Sequence, residues 1–186
     1  MARMSPVLSR FAASDGLLLH RCDWPCVGET KGTLLVVHGL GEHIGRYDRV
    51  AMRLNAAGWH VAGYDQRGHG QSEGARGAVG RRDSLLFDLG RVVDTVRGER
   101  GGPLILLGHS MGGLIAARWS VPTLLLWAGS DRCVAPAGSQ AFADAAPPGV
   151  VRSQCFDTLY HEIFNEPEQD EVFFVLLGWL AERVGQ

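Results

Sequence analysis

The sequence has 186 residues, 46% of them hydrophobic, and its 18 basic and 20 acidic residues leave a formal net charge of −2. That length can bury a hydrophobic core within one domain, and the apolar fraction excludes a disordered, fibrous or collagen-like chain. Balanced charge offers no basic face for nucleic acid or anionic lipid.

Residues 1–15 hold Arg3 and Arg10 but no apolar run long enough for a signal-peptide core. No later stretch reaches the roughly 18–20 uninterrupted apolar residues of a membrane span. After the Asp15-Gly16 turn, residues 17–24 read as a strand. Residues 33–38 form a short continuous apolar run ending at Gly39, the pattern of a strand buried on both faces. Residues 46–57 carry Val50 and Leu54 at helical spacing and stop at Gly58. His60–Tyr64 is the next strand, followed by a glycine-rich loop over 68–80. Leu85, Leu86, Leu89, Val92, Val93 and Val96 then line one helical stripe, with Asp83 or Ser84 as its N-cap. A buried strand at 104–107, a short helix from Met111 and a buried strand at Thr123–Ala128 come next. Val151–Phe156 is the last strand, and a terminal helix buries Val172, Phe173, Leu176, Leu177 and Leu180. Alternating strands and helices predict an α/β fold around a mostly parallel sheet.

Gly108-His109-Ser110-Met111-Gly112 has the form Gly-x-Ser-x-Gly, between an apolar strand and the helical Leu114-Ile115-Ala116-Ala117. That setting defines a nucleophile elbow, where glycines permit the sharp turn that exposes a serine hydroxyl. The helix beginning after Ser110 points its amides and positive dipole end at the site, favouring a developing oxyanion. A serine nucleophile needs a base, and the base an orienting acid. Of seven histidines, His161 alone stands between the last strand and the terminal helix, at the carboxyl edge of a parallel sheet. Asp131 follows Thr123–Ala128 in Gly129-Ser130-Asp131, at another carboxyl edge, which makes the chain order Ser110, Asp131, His161. Asp157 and Glu162 are rival acids, at a disadvantage in reaching the far nitrogen of a histidine so near in sequence.

These segments resemble the α/β-hydrolase superfamily, in particular monoacylglycerol lipases, lysophospholipases and serine aminopeptidase S33-type hydrolases. The resemblance rests on His38-Gly39-Leu40-Gly41-Glu42-His43 with Arg46-Tyr47, and on Asp65-Gln66-Arg67-Gly68-His69-Gly70-Gln71-Ser72. The elbow, Gly129-Ser130-Asp131 and Tyr160-His161-Glu162 complete it, in family order. It implies Ser110 as nucleophile, Asp131 as orienting acid and His161 as general base. It also implies an oxyanion hole from the backbone amides of Leu40 and Met111. Leu40 sits between Gly39 and Gly41, where backbone can approach a substrate; Gly108 and Gly112 shape the elbow. His38, Asp65, Arg67 and His69 read as loop-ordering residues.

The expected activity is that of a carboxylic ester hydrolase working through an acyl-enzyme on a small-molecule ester, with no cofactor and no metal. Peptidases and carbon–carbon hydrolases share the elbow. Cys22, Cys26, Cys133 and Cys155 are scattered without zinc-site spacing, so free thiols in a cytoplasmic, soluble protein are expected. Neither nucleic acid nor integral membrane association is expected, and nothing sets an oligomeric state.

Only residues 111–130, twenty in all, separate Ser110 from Asp131. The resemblance implies a further strand and a largely helical cap in that interval, the cap forming much of an acyl-chain tunnel. Residues 1–186 are therefore expected to form a single core domain, lacking the cap insertion between Trp119 and Val121 and the strand after the nucleophile helix. The 13 residues from 109 to 121 barely make a parallel crossover, which needs at least about 10–12. Thr123–Ala128 is accordingly expected to take the missing strand's place beside 104–107, the alternative being an unfilled strand position. Without a cap, short or accessible acyl esters become the favoured substrates. The competing expectation is a cap-deleted scaffold with little or no turnover.

Overall fold

Runs of five buried apolar residues become strands here, and apolar residues at helical spacing become the helices that cover them. The computed structural model describes residues 5–81, 83–118 and 122–184. The chain forms two compact units, divided in sequence after residue 119.

In the first unit β1 (Val7–Ala12), β2 (Leu18–Trp24), β3 (Thr33–Val37), β4 (His60–Tyr64) and β5 (Leu104–Gly108) form one sheet in the order β1-β2-β4-β3-β5. The sheet is mixed. β3 runs parallel to β4 and β5, while β2 joins β4, and β1 joins β2, in antiparallel pairing. Every residue of β3 and β4 is buried, so both faces of these strands need cover. Helix α2 (Ser84–Glu99) supplies one layer, setting Leu89, Val92, Val93 and Val96 against Leu35, Val37, Ala62 and Tyr64. Alternate strand residues face the other way. There Ile44, in the 3-10 turn Ile44–Tyr47, packs so closely on Gly63 that a side chain at 63 would overlap it. Helix α1 (Asp48–Ala56) follows that turn, buries Val50, Ala51 and Leu54, and lies along β4 and β2.

The glycine-rich loop after β4 is held by buried ion pairs and hydrogen bonds. Arg67 places a two-pronged guanidinium on Asp88 of α2, at 2.6 and 2.8 Å, and reaches Asp15 at 2.9 Å. Asp65 accepts the Ile44 and Gln71 amides at 2.6 and 2.7 Å. One further strand, β1, has no counterpart in the sequence reading. It pairs from Val7↔Asp23 to Ala12↔Leu18 although nearly all its residues are exposed.

The second unit is a βαβ crossover followed by a long helix. β6 (Thr123–Ala128) and β7 (Val151–Phe156) pair in parallel, and α4 (Pro136–Ala145), absent from the sequence reading, makes the connection. Ala128, Phe156, Leu159, Ile163 and Val172 form its core, the last contributed by α5 (Gln169–Val184). Within the first unit β5 pairs with β3, and within the second β6 pairs with β7. Among the described residues no element lies between β6 and the short helix α3 (Met111–Ala116) that follows β5. Residues 119–121, where the cap insertion was expected, lie outside the described residues.

Candidate active site

Parallel pairing of β3 with β5, ending at Val37↔Gly108, brings the segments that follow both strands to one carboxyl edge. One of these is the elbow. Ser110 has φ 52° and ψ −122°, the sole positive-φ non-glycine among the described residues. Such backbone costs on the order of 1–3 kcal/mol and persists only where its surroundings enforce it. The enforcement is visible. The His109 amide donates to the Val37 carbonyl at 3.0 Å, and the Gly112 and Gly113 amides donate back to His109 and Ser110 at 2.8 and 2.9 Å. A Cβ on Gly112 would run into the Val37 carbonyl, and one on Gly108 would meet the Gly112 carbonyl oxygen at 2.5 Å. The glycines of the motif therefore let α3 start directly against β3.

The other segment is the loop after β3. A Cβ on Gly39 would come within 3.0 Å of the Ser110 Cβ, so this backbone passes beside the serine. Gly41 adopts φ 72°, which suits a residue without a Cβ, and Leu40 between them is 62% exposed. His38 is fully buried and joins this loop to the next. Its Nδ1 donates to the Gly39 carbonyl at 2.7 Å while its Nε2 accepts the Gln66 amide at 2.9 Å. Burial holds the His38 pKa below the ordinary histidine value, in keeping with a neutral ring in that tautomer.

Glu42 is the hub of this region, a role that its place in the motif did not disclose. Its Oε2 accepts the Gly39 amide at 2.6 Å, the Tyr47 hydroxyl at 2.9 Å and His109 Nδ1 at 3.1 Å. Burial alone would raise its pKa. The hydrogen bonds from His109, Gly39 and Tyr47 outweigh burial and bring it down to about 2. Glu42 thus ties the Leu40 loop to the residue preceding Ser110. Because it consumes the Gly39 amide, that group is not an oxyanion donor.

Asp131 and His161 belong to the second unit. β6 and β7 end in register at Ala128↔Phe156, so the segments that follow share one edge. Each residue of Gly129-Ser130-Asp131 has a task there. A Cβ on Gly129 would lie 2.6 Å from the Asp157 Cα, which only glycine tolerates. The Ser130 hydroxyl donates to the Asp157 carbonyl at 2.9 Å. Asp131 Oδ2 lies 2.8 Å from His161 Nδ1, while its Oδ1 accepts the Cys133 and Val134 amides at 2.7 and 3.0 Å. Partial burial works to raise the Asp131 pKa; the His161 hydrogen bond and the two amides bring it below the ordinary value. Of the rival acids, the Asp157 side chain is hydrogen-bonded with Cys155, and Glu162 accepts from Asn165 at 2.8 Å.

A family model described as serine aminopeptidase S33 matches residues 28–120 and 116–168, most of the chain. The chain belongs to the serine aminopeptidase S33 family. The match to that family is in two pieces that meet between the Ser110 and Asp131 segments. Among relatives, mouse monoglyceride lipase is 40% identical over 110 residues, which cover 59% of this chain and 36% of that protein. The matched part thus spans about a third of the mammalian relatives. A monoacylglycerol lipase of Mycolicibacterium smegmatis is 23% identical along 270 aligned positions, covering 94% of this chain and 96% of that one. Since this chain has 186 residues, the alignment crosses large gaps. Among solved structures, a soluble variant of Saccharomyces cerevisiae monoglyceride lipase superposes with a TM-score of 0.84. Its identity is 17%, over 96% of this chain and 97% of that chain. The fold is that of the α/β-hydrolases. The relatives named above are called lipases, and no helix among the described residues is long and apolar enough to cross a membrane.

Proposed function

We propose that the chain is a serine hydrolase of carboxylic esters, with Ser110 as nucleophile, His161 as general base and Asp131 as orienting acid. The observation that carries this reading is the strained Ser110 backbone at a strand–helix junction of an S33-family chain. The Asp131–His161 hydrogen bond supports the two other roles. The Ser110 hydroxyl attacks the ester carbonyl while His161 Nε2 takes its proton, and Asp131 stabilises the imidazolium through Nδ1. The amides of Leu40 and Met111 receive the oxyanion. Collapse expels the alcohol, which takes the proton from His161 and leaves an acyl-serine. Water, activated by His161, then releases the acid and regenerates Ser110.

Esters of glycerol or related alcohols are the substrate class that the relatives favour, since their names specify monoglyceride lipase and phospholipase. The twenty-residue interval between Ser110 and Asp131 favours short or accessible acyl groups over long ones. Four free cysteines suit a reducing, cytoplasmic compartment. The same short interval supports a second reading, a scaffold that folds without turnover. A fluorophosphonate probe with a mass-spectrometric readout separates the two. Stoichiometric labelling of Ser110 is expected, together with a loss of roughly 10³-fold or more in ester hydrolysis in S110A. Folded protein that resists the probe would instead establish the scaffold.

A further inference from the structure

Cys133 takes no part in the proposed hydrolysis, yet it stands beside the acid–base pair. One ligand atom each from Asp131, Cys133 and His161 lie within 4.8 Å of one another. We propose that these three residues form a binding site for a borderline-soft divalent cation, with zinc as the best fit, and that its occupancy switches off the pair.

The donor set selects the metal. A thiolate, an imidazole and a carboxylate together suit zinc and disfavour magnesium and calcium, which take oxygen ligands. Three protein ligands with a fourth position left to water is an open zinc site rather than a closed structural one. The site is also prepared by the fold. Asp131 Oδ1 holds the Cys133 amide at 2.7 Å, which curls residue 133 back toward the carboxylate. The two ligand-bearing loops are joined by the Gly129 amide on the Phe156 carbonyl at 2.8 Å and the Ser130 amide on the Leu159 carbonyl at 3.1 Å. Arg132 lies over the Tyr160 ring, 5.6 Å from its centroid, and adds a side-chain link between them. Cys133 is exposed, so a cation reaches the thiol from solvent.

The proton balance explains the inhibition. Binding moves the proton between His161 Nδ1 and Asp131 Oδ2 onto Nε2, where it blocks that nitrogen from acting as a base, and releases the proton of the Cys133 thiol to solvent. Nδ1 and Oδ2, 2.8 Å apart, open by roughly half an ångström to admit zinc at its usual bond lengths. Asp131 then ligates the metal instead of orienting the imidazole. This consequence rests on the proposed roles of the pair, whereas metal binding does not.

Cobalt(II) titration of the full chain, followed by a zinc competition, tests the site independently of turnover. One equivalent should bind with a near-ultraviolet thiolate-to-cobalt charge-transfer band that zinc abolishes. In C133S the band should vanish, and zinc affinity in calorimetry should fall by at least the roughly 10–100-fold that losing even an outer-shell partner costs. C155S should keep both. Absence of the band in the wild-type chain, or its persistence in C133S, overturns the site. If the site binds zinc and the enzyme turns over esters, zinc should inhibit the wild type reversibly and spare C133S. Equal inhibition of the two overturns the switch and leaves the hydrolase reading intact.

Discussion

At the residue scale the decisive groups near Ser110 are buried polar side chains, and their energetics can be tested separately from catalysis. Asp88 is fully buried and receives both prongs of Arg67. R67A leaves that carboxylate without its counter-charge, so a loss of about 3–5 kcal/mol in urea unfolding is expected. R67K, which cannot offer the fork, should recover only part of it. Glu42 makes a second prediction. Its carboxyl titrates near 4.5 when free and at about 2 in the fold, so folding favours the ionised form. The stability this contributes is complete above pH 4.5 and disappears as pH falls toward 2. The difference in unfolding midpoint between wild type and E42Q should therefore be constant above pH 4.5 and shrink below it. A difference independent of pH would mean that the charge of Glu42 contributes nothing to stability.

At the scale of elements, legibility followed burial. Strands β3, β4 and β5 and helix α2 were readable because continuous or periodic apolar runs record burial directly. β1 and α4 were not readable, because β1 is almost wholly exposed and α4 buries no residue at all. Pairing partners were legible only in part. The apolar runs mark these segments as strands, but nothing in them says that β3 takes β5 as a parallel neighbour or that β6 takes β7. The site divides in the same way. The proposed catalytic residues Ser110, Asp131 and His161 lie in motifs that the sequence displays, while the part played by Glu42 depends on His109, 67 positions away. The elbow also yields a prediction about how its glycines act. Any side chain on Gly112 meets the Val37 carbonyl, so α3 must shift away from β3 in G112A. Over-packing of this sort costs about 1–3 kcal/mol and sometimes more. Thermal unfolding should register that loss, and probe labelling of Ser110 should fall further than stability does, because the shift moves the serine itself.

At the scale of the whole molecule, the short interval between Ser110 and Asp131 bears on substrate choice. The S33-family match breaks in the same place, and the mycobacterial relative aligns only across large gaps. Each methylene of an acyl chain that a protein buries is worth about 0.8 kcal/mol, close to a fourfold gain in kcat/KM. That increment continues only for as long as there is apolar wall to cover the next carbon. With twenty residues between Ser110 and Asp131 there is little chain from which to build such a wall. In a series of p-nitrophenyl esters from acetate upward, kept below their critical micelle concentrations, kcat/KM should rise over the first few carbons. It should then level off or decline. A gain near fourfold per methylene sustained into long-chain esters would show that other parts of the chain supply the tunnel, and would remove the argument for short acyl groups.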